Sequence, residues 1–400
     1  MSGGHGVGGS NPPSPNSVPD YCIINSTEAG MRGMKMTNYL IYRTLSRSLY
    51  YTLAAALVVS LLVSCPKSKD NNVIAGDKLW ESIAMSSDGS KLAAVVKYSH
   101  LYTSADGGAT WIDRSNADNS AIAGDKSWQS ITMSSDGSRL AAVAEYSHLY
   151  TSSDGGTTWI DRSNADNSAI AGDKSWQSIA MSSDGSKIAA VTGFEHLYTS
   201  SDAGETWIDR STLNPAIEGN KWWFSVTMSS DGSKIAAVAD FDHFYTSSDA
   251  GETWTRSRVT DSVITEVVFW QSVAMSSDGS KIAVVPYDGR LYTSSDEGNT
   301  WTNHSTFDSV IAGNKNWSSI TMSADGSRLV AVEEYGHLYT SGDGGVTWID
   351  RSIRDSSIRG DKRWKSMAMS SDGLTIFAGL YGDHLYISRN GGVDWTDLSE

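Results

Sequence analysis

The feature that most constrains this chain is a spacing. A ten-residue stretch, "YTSSDGGTTW" at Tyr150 to Trp159, returns in variant form at Tyr102, Tyr198, Tyr245, Tyr292, Tyr339 and Tyr386. Its closing tryptophans are Trp111, Trp159, Trp207, Trp254, Trp301, Trp348 and Trp395, so successive steps are 48, 48, 47, 47, 47 and 47 residues. A fixed period of this length means one structural unit used seven times, and it takes precedence over any division by total length.

Each unit reads as four short strands. In Trp128 to Arg162, "QSITMS" alternates with Ile131 and Met133 on one face, and Asp136-Gly137 turns the chain. "RLAAVA", "HLYTSS" and "TWIDRS" follow, separated by the turns "EYSH" and "DGGTT". A link of 12 to 15 residues such as "NADNSAIAGDKS" then leads to the next unit. One four-stranded sheet cannot cover both of its faces, so neighbours must stack. The expected fold is all-β: a seven-bladed β-propeller of four-stranded antiparallel blades built from 47–48-residue repeats, spanning 73–400. A closed ring also protects sheet edges that an open row would expose.

The pattern S-x-D-x-G-x-T-W is the Asp box, and the chain resembles the Asp-box, or BNR-repeat, propellers. Six copies match fully, from Ser104, Asp106, Gly108, Thr110 and Trp111 to Ser341 through Trp348; the seventh has Asn390 and Asp394 in place of Asp and Thr. Asp106, Asp154, Asp202, Asp249, Asp296 and Asp343 are expected to fold their own turns by accepting backbone N–H bonds, not to catalyse. The resemblance places the box between the third and fourth strands, away from the face that usually binds ligands.

The first 72 residues are of another kind. Residues 1–30 are rich in Gly, Pro, Ser and Asn and read as a disordered extension. Residues 31–65 combine Arg32, Lys35, Arg43 and Arg47 with the apolar run Leu53 to Val63, the layout of an export signal. "LVSC", ending at Cys65, resembles the lipobox of bacterial lipoproteins, which implies lipid attachment at Cys65, a tether over 66–72 and an extracytoplasmic, membrane-anchored location. A secreted form without lipid is the alternative. Met31, Met34 or Met36 would give the signal a more ordinary start.

Charge narrows the partners. Four of the 31 basic residues and two of the 46 acidic ones precede Cys65, so residues 65–400 carry 27 against 44, a balance of −17. Such a surface repels phosphate backbones, and nucleic acid is not expected. No cofactor or metal is expected, and the chain should be a monomer. His100, His148, His196, His243, His337 and His384 recur once per unit, with Arg290 in the fifth; spaced around a ring, they read as locally bonded turn residues. "NADNSAIAGD" has oxygen donors but lacks the spacing of a calcium loop.

A unique site in a repetitive ring requires departures from the repeat. Three fall in the fourth to sixth units: Trp222 and Trp223 in "NKWWF"; Arg256, Arg258 and Glu266 in the replaced link; and Tyr287, Asp288 and Arg290 in "PYDGR". Links and second-to-third-strand turns should share one face, where these groups would serve an unidentified protein or glycan ligand. Sialidases resemble the chain in their Asp boxes. However, no "RIP" occurs, and Arg114, Arg162, Arg210 and Arg351 occupy one repeated position, so they would not converge. Xyloglucan-degrading relatives use a second propeller that these 400 residues do not contain. Seven-bladed photosystem II assembly factors are also similar, though their basic surface is not visible here. The sequence thus favours a non-enzymatic, exported binding or scaffold module; the alternative is a glycan-active hydrolase or lyase, for which Glu266 and Asp288 are the available carboxylates.

Overall fold

The structure, a computed structural model, describes residues 73–116, 119–164, 167–239, 243–257 and 268–399. The signal, Cys65 and the tether therefore lie outside the described residues, as do Arg258 and Glu266. Among the described residues no helix is long and apolar enough to cross a membrane.

The described strands fall into consecutive antiparallel sets of four, one per repeat. In the first, Lys78–Met85, Leu92–Ser99, Leu101–Ser104 and Ile112–Asp113 pair in chain order. Its first strand bulges between Trp80 and Ser82, and the same irregularity recurs beside Trp128, Trp223, Trp270, Trp317 and Trp364. The tryptophan beside each of these bulges is buried.

The cores lie between sheets, not within them. Trp128, Ile131 and Tyr150 of the second blade cluster with Ala84, Ala93, Val95 and Leu101 of the first. The same packing joins last to first, where Phe377, Leu385 and Ile387 meet Trp80 and Ile83. Each core tryptophan meets the tyrosine of its own third strand, as Trp80 meets Tyr102 edge-on at 5.8 Å.

Closure is made by weak bonds in series. At the first turn of every unit a backbone N–H donates to the carbonyl of the next unit. The cycle runs Ser87, Ser135, Ser183, Ser230, Ser277, Ala324, Ser371 and back to Ser87, each step 2.8 or 2.9 Å. Lys78 and Leu79 also pair with Asp383 and Tyr381, so every blade keeps its own four strands and the ring closes without strand exchange. At that closing boundary, the ammonium of Lys365 lies 3.0 Å from the buried carboxylate of Glu81.

The first turns also tie acidity to folding. The carboxyls of Asp88, Asp136 and Asp231 are held down at about 2, first by the N–H two residues on and then by flanking serine hydroxyls. Asp184, Asp278 and Asp325 are also at about 2, with the preceding serine hydroxyl leading. These folded-state values lie below the ordinary 3.8. Their stabilisation is therefore complete above about pH 4 and is lost as pH falls from there towards 2. Thermal unfolding followed by circular dichroism should show a midpoint that drops steeply in that window. A midpoint unchanged from pH 5 to pH 2.5 would show that these bonds do not stabilise the fold.

Candidate functional site

The Asp boxes occupy the hairpin between third and fourth strands. Thr110 donates its N–H and its hydroxyl to Asp106 at 2.8 and 2.5 Å, and Ser104 donates its hydroxyl at 2.8 Å. Burial pushes the Asp106 carboxyl up, but these donors outweigh it and leave it lowered. A lowered carboxyl engaged by its own turn is built for folding and not for proton transfer. The box tryptophan packs on the preceding blade: Trp111 stacks on Phe377 at 5.7 Å. Gly156, at φ +83°, comes so near the preceding blade that a Cβ would lie 2.9 Å from the Thr103 methyl.

Grooves between blades on this side recur in the same form. One, lined by Arg139, Thr151, Ser152, Thr158, Arg162 and Glu205, encloses about 280 Å³, and counterparts follow the next two boundaries. Their repetition marks them as packing seams. The WIDRS arginines are held inside their own blades: Arg114, Arg162, Arg210 and Arg351 each donate Nε to a threonine at 2.7 or 2.8 Å.

The opposite face carries the links and the second-to-third-strand turns, as expected from the sequence. His100 joins the two, with Nδ1 2.6 Å from Asp113 and Nε2 3.5 Å from Asp125 of the following link. His148, His337 and His384 repeat the double contact, and His196 keeps its fourth-strand partner Asp209. For His384, burial lowers the imidazole, but Asp397, Asp383 and Asp77 together raise it. Among the described residues, Asp77, Asp383 and His384 are also the one group whose ligand atoms lie within 4.8 Å of one another. The fifth unit changes this set together: Arg290 stands for His, Asn303 for the fourth-strand Asp and Asn314 for the link Asp.

This face bears a feature that reading the sequence did not pick out. Among the described residues, the second-to-third-strand turns present aromatic rings to solvent: Tyr98 (61% exposed), Tyr146 (73%), Phe194 (50%), Tyr287 (46%) and Tyr335 (64%), with Tyr381 half-buried. Tyr98, Tyr146 and Tyr335 sit at φ +59°, +52° and +57°, a region costly for a bulky residue. In the fifth and seventh units Asp288 and Gly382 take the left-handed position, and the aromatic moves one residue earlier, to Tyr287 and Tyr381. The ring of aromatics is thus kept whether or not the backbone favours its position.

The residues singled out in the fourth to sixth units divide between boundaries. Trp222 is 49% exposed and meets Phe194 of the third blade, ring centres 4.8 Å apart. Trp223 is a correction: it is fully buried and occupies the core position of Trp80 and Trp128, so it offers nothing to a ligand. Arg256 is exposed on the outer strand, opposite Tyr245. Tyr287, Asp288 and half-buried Arg290 lie at the next boundary but one, where Gly289 bridges to Lys315 of the sixth blade.

No known family model matches the chain, and no curated protein sequence matches it either. Solved structures do. The chain is similar to YCF48 bound to a D1 peptide, with a TM-score of 0.57 and 17% identity over 82% of this chain and 99% of that one. YCF48 from Cyanidioschyzon merolae gives 0.56 and 15% over 79% and 96%. A GH74 xyloglucanase from Xanthomonas campestris gives 0.60 and 15%, with 82% of this chain covering 55% of the enzyme. At such identities the likeness concerns architecture. It agrees with the strand pairing in making this chain an all-β propeller of four-stranded antiparallel blades.

Proposed function

We propose that the chain is an exported, non-enzymatic binding propeller, anchored to a membrane through a lipid on Cys65, which grips a protein partner with the face that bears its links and second-to-third-strand turns. The observation that carries this reading is the aromatic ring of that face. Exposed tyrosines held in left-handed backbone cost stability, and strain kept in copy after copy calls for a return in function. Aromatic side chains in such number fit a protein interface, where they supply most of the binding energy. Of the similar structures, YCF48 is bound to a D1 peptide, which lends weight to peptide recognition on this architecture. The glycan-active alternative draws on the similarity to the GH74 enzyme, which this chain covers over 55% of its length.

The test is a selection from a random peptide display library on the full chain, repeated on Tyr98→Ala/Tyr146→Ala/Tyr335→Ala, with a glycan array in parallel. Peptides that bind the parent and weaken at least about tenfold on the triple variant are expected. Binders indifferent to the variant would remove the proposed face, and selective glycan binding with hydrolysis would favour the alternative. Cys65→Ser should move the chain from the membrane fraction to the soluble one; unchanged partitioning would remove the lipid anchor.

A further inference from the structure

The aromatic face already holds a cation of its own. At the boundary of the sixth and seventh blades the Arg363 guanidinium lies 5.1 Å from the Tyr335 ring centre and 4.3 Å from that of Tyr381. Its Nε donates to Glu334 at 3.1 Å. Two rings and one carboxylate seat a planar cation, an arrangement that suits guanidinium better than a strongly hydrated ammonium.

A related arrangement recurs between the second and third blades, with serine in place of the arginine and a different second wall. Glu334 faces Arg363 in the strand register that joins its two blades, and Glu145 faces Ser175 in the corresponding register. Tyr146 follows Glu145 as Tyr335 follows Glu334, with the same left-handed backbone. Serine therefore stands where the chain elsewhere supplies its own arginine. The second wall is Phe194, one residue later in its turn than Tyr381, extended by Trp222 at 4.8 Å. Glu195, 45% exposed, adds a second carboxylate. The chain's own groups hold these carboxylates loosely: Glu145 accepts from the Ser127 hydroxyl at 3.4 Å and lies 3.7 Å from Lys97 of the first blade, on the side away from Ser175, and Lys174 is 4.0 Å from Glu195. Contacts of that length near the surface contribute little and give way to a better partner.

We propose that Glu145, Tyr146, Ser175, Phe194, Glu195 and Trp222 receive an arginine side chain from an extended segment of the partner protein, repeating in trans the contact that Arg363 makes within the chain. This rests on the binding-face reading and names its partner's chemistry. The balance of −17 over residues 65–400 favours a basic segment, and the flanking rings select arginine within it.

Fluorescence anisotropy would test this with three labelled ten-residue Gly/Ser peptides on the full chain, identical except for two central arginines, lysines or citrullines. The arginine peptide should bind at least about fivefold more tightly than the lysine peptide, and the citrulline peptide should not bind measurably. Tyr146→Ala/Trp222→Ala and Glu145→Gln/Glu195→Gln should each weaken arginine binding about tenfold or more, whereas Glu297→Gln on the opposite face should not. Near-ultraviolet circular dichroism checks that the variants fold, and Tyr146→Phe, which keeps the ring, should bind like the parent. Equal binding of arginine and lysine peptides would overturn the proposal in favour of the acidic field alone. Arginine-free peptides from the display selection that lose binding in Tyr146→Ala/Trp222→Ala would overturn the arginine seat and leave the binding face standing. If no peptide of any kind binds, both readings fall.

Discussion

Trp128→Ala is expected to lower the free energy of unfolding by about 3–5 kcal/mol, the usual loss for a large aromatic removed from a tight core. Trp128 is fully buried, meets Tyr150 edge-on at 5.6 Å and packs against Val95 and Leu101 of the preceding blade. Its loss therefore loosens two blades at once. A second substitution separates packing from polarity. The indole Nε1 of Trp128 has no protein acceptor, whereas that of Trp317 donates to the Gly289 carbonyl at 3.1 Å. Phenylalanine removes a donor without a bond at the first site and a bonded one at the second. Trp317→Phe should accordingly cost about 1 kcal/mol more than Trp128→Phe. Urea denaturation followed by circular dichroism measures all three. A loss under about 1 kcal/mol for Trp128→Ala would contradict the inter-blade core.

The second large effect is expected at the closing boundary. Lys365→Met leaves the Glu81 carboxylate almost fully enclosed with its cation gone, and the stability lost should be about 3 kcal/mol. Glu81→Met/Lys365→Met should recover most of that loss, because an apolar pair replaces a charge without a partner. The comparison matters because the equivalents of Glu81 in the next two units are Gln129 and Gln177, so the ion pair marks the one seam where first and last blades meet. If the single variant proves as stable as the parent, the pair contributes nothing to closure. If the double variant is worse than the single, steric fit and not charge governs the seam.

How far the sequence could be read follows from the range of the contacts. The Asp box is legible because its bonds close within four residues, from Asp106 to Thr110, so motif and geometry are nearly one thing. The strand order is legible for the same reason, since each sheet pairs in chain order. The histidines were read as locally bonded turn residues; their partners instead lie 13 residues on, across the ladder of third and fourth strands, and a turn alone does not name them. Trp223 shows a different limit. Weight given to departures from the repeat made "NKWWF" look like a paired aromatic site, whereas one of the two is the ordinary core tryptophan and only Trp222 departs. The same weighting passed over Tyr98, Tyr146 and Tyr335, which are members of the repeat. An aromatic in a turn, where small polar residues belong, was the signal available, but its exposure depends on a left-handed backbone that only coordinates reveal.

The cycle of backbone bonds through Ser87, Ser135, Ser183, Ser230, Ser277, Ala324 and Ser371 bears on heredity as well as on stability. Residues 114–131 and 162–179 are identical in sequence, so recombination between such stretches would insert or delete one whole unit while keeping the reading frame of the fold. Yet each donor in the cycle is already the neighbour of an acceptor, and a circle of six or eight would have to change every one of those angles. Gain or loss of a repeat is therefore not a graded change, as it is in an open row, but a step that the closed circle penalises at all positions together. The number of units is held by geometry even while their sequences remain free to exchange.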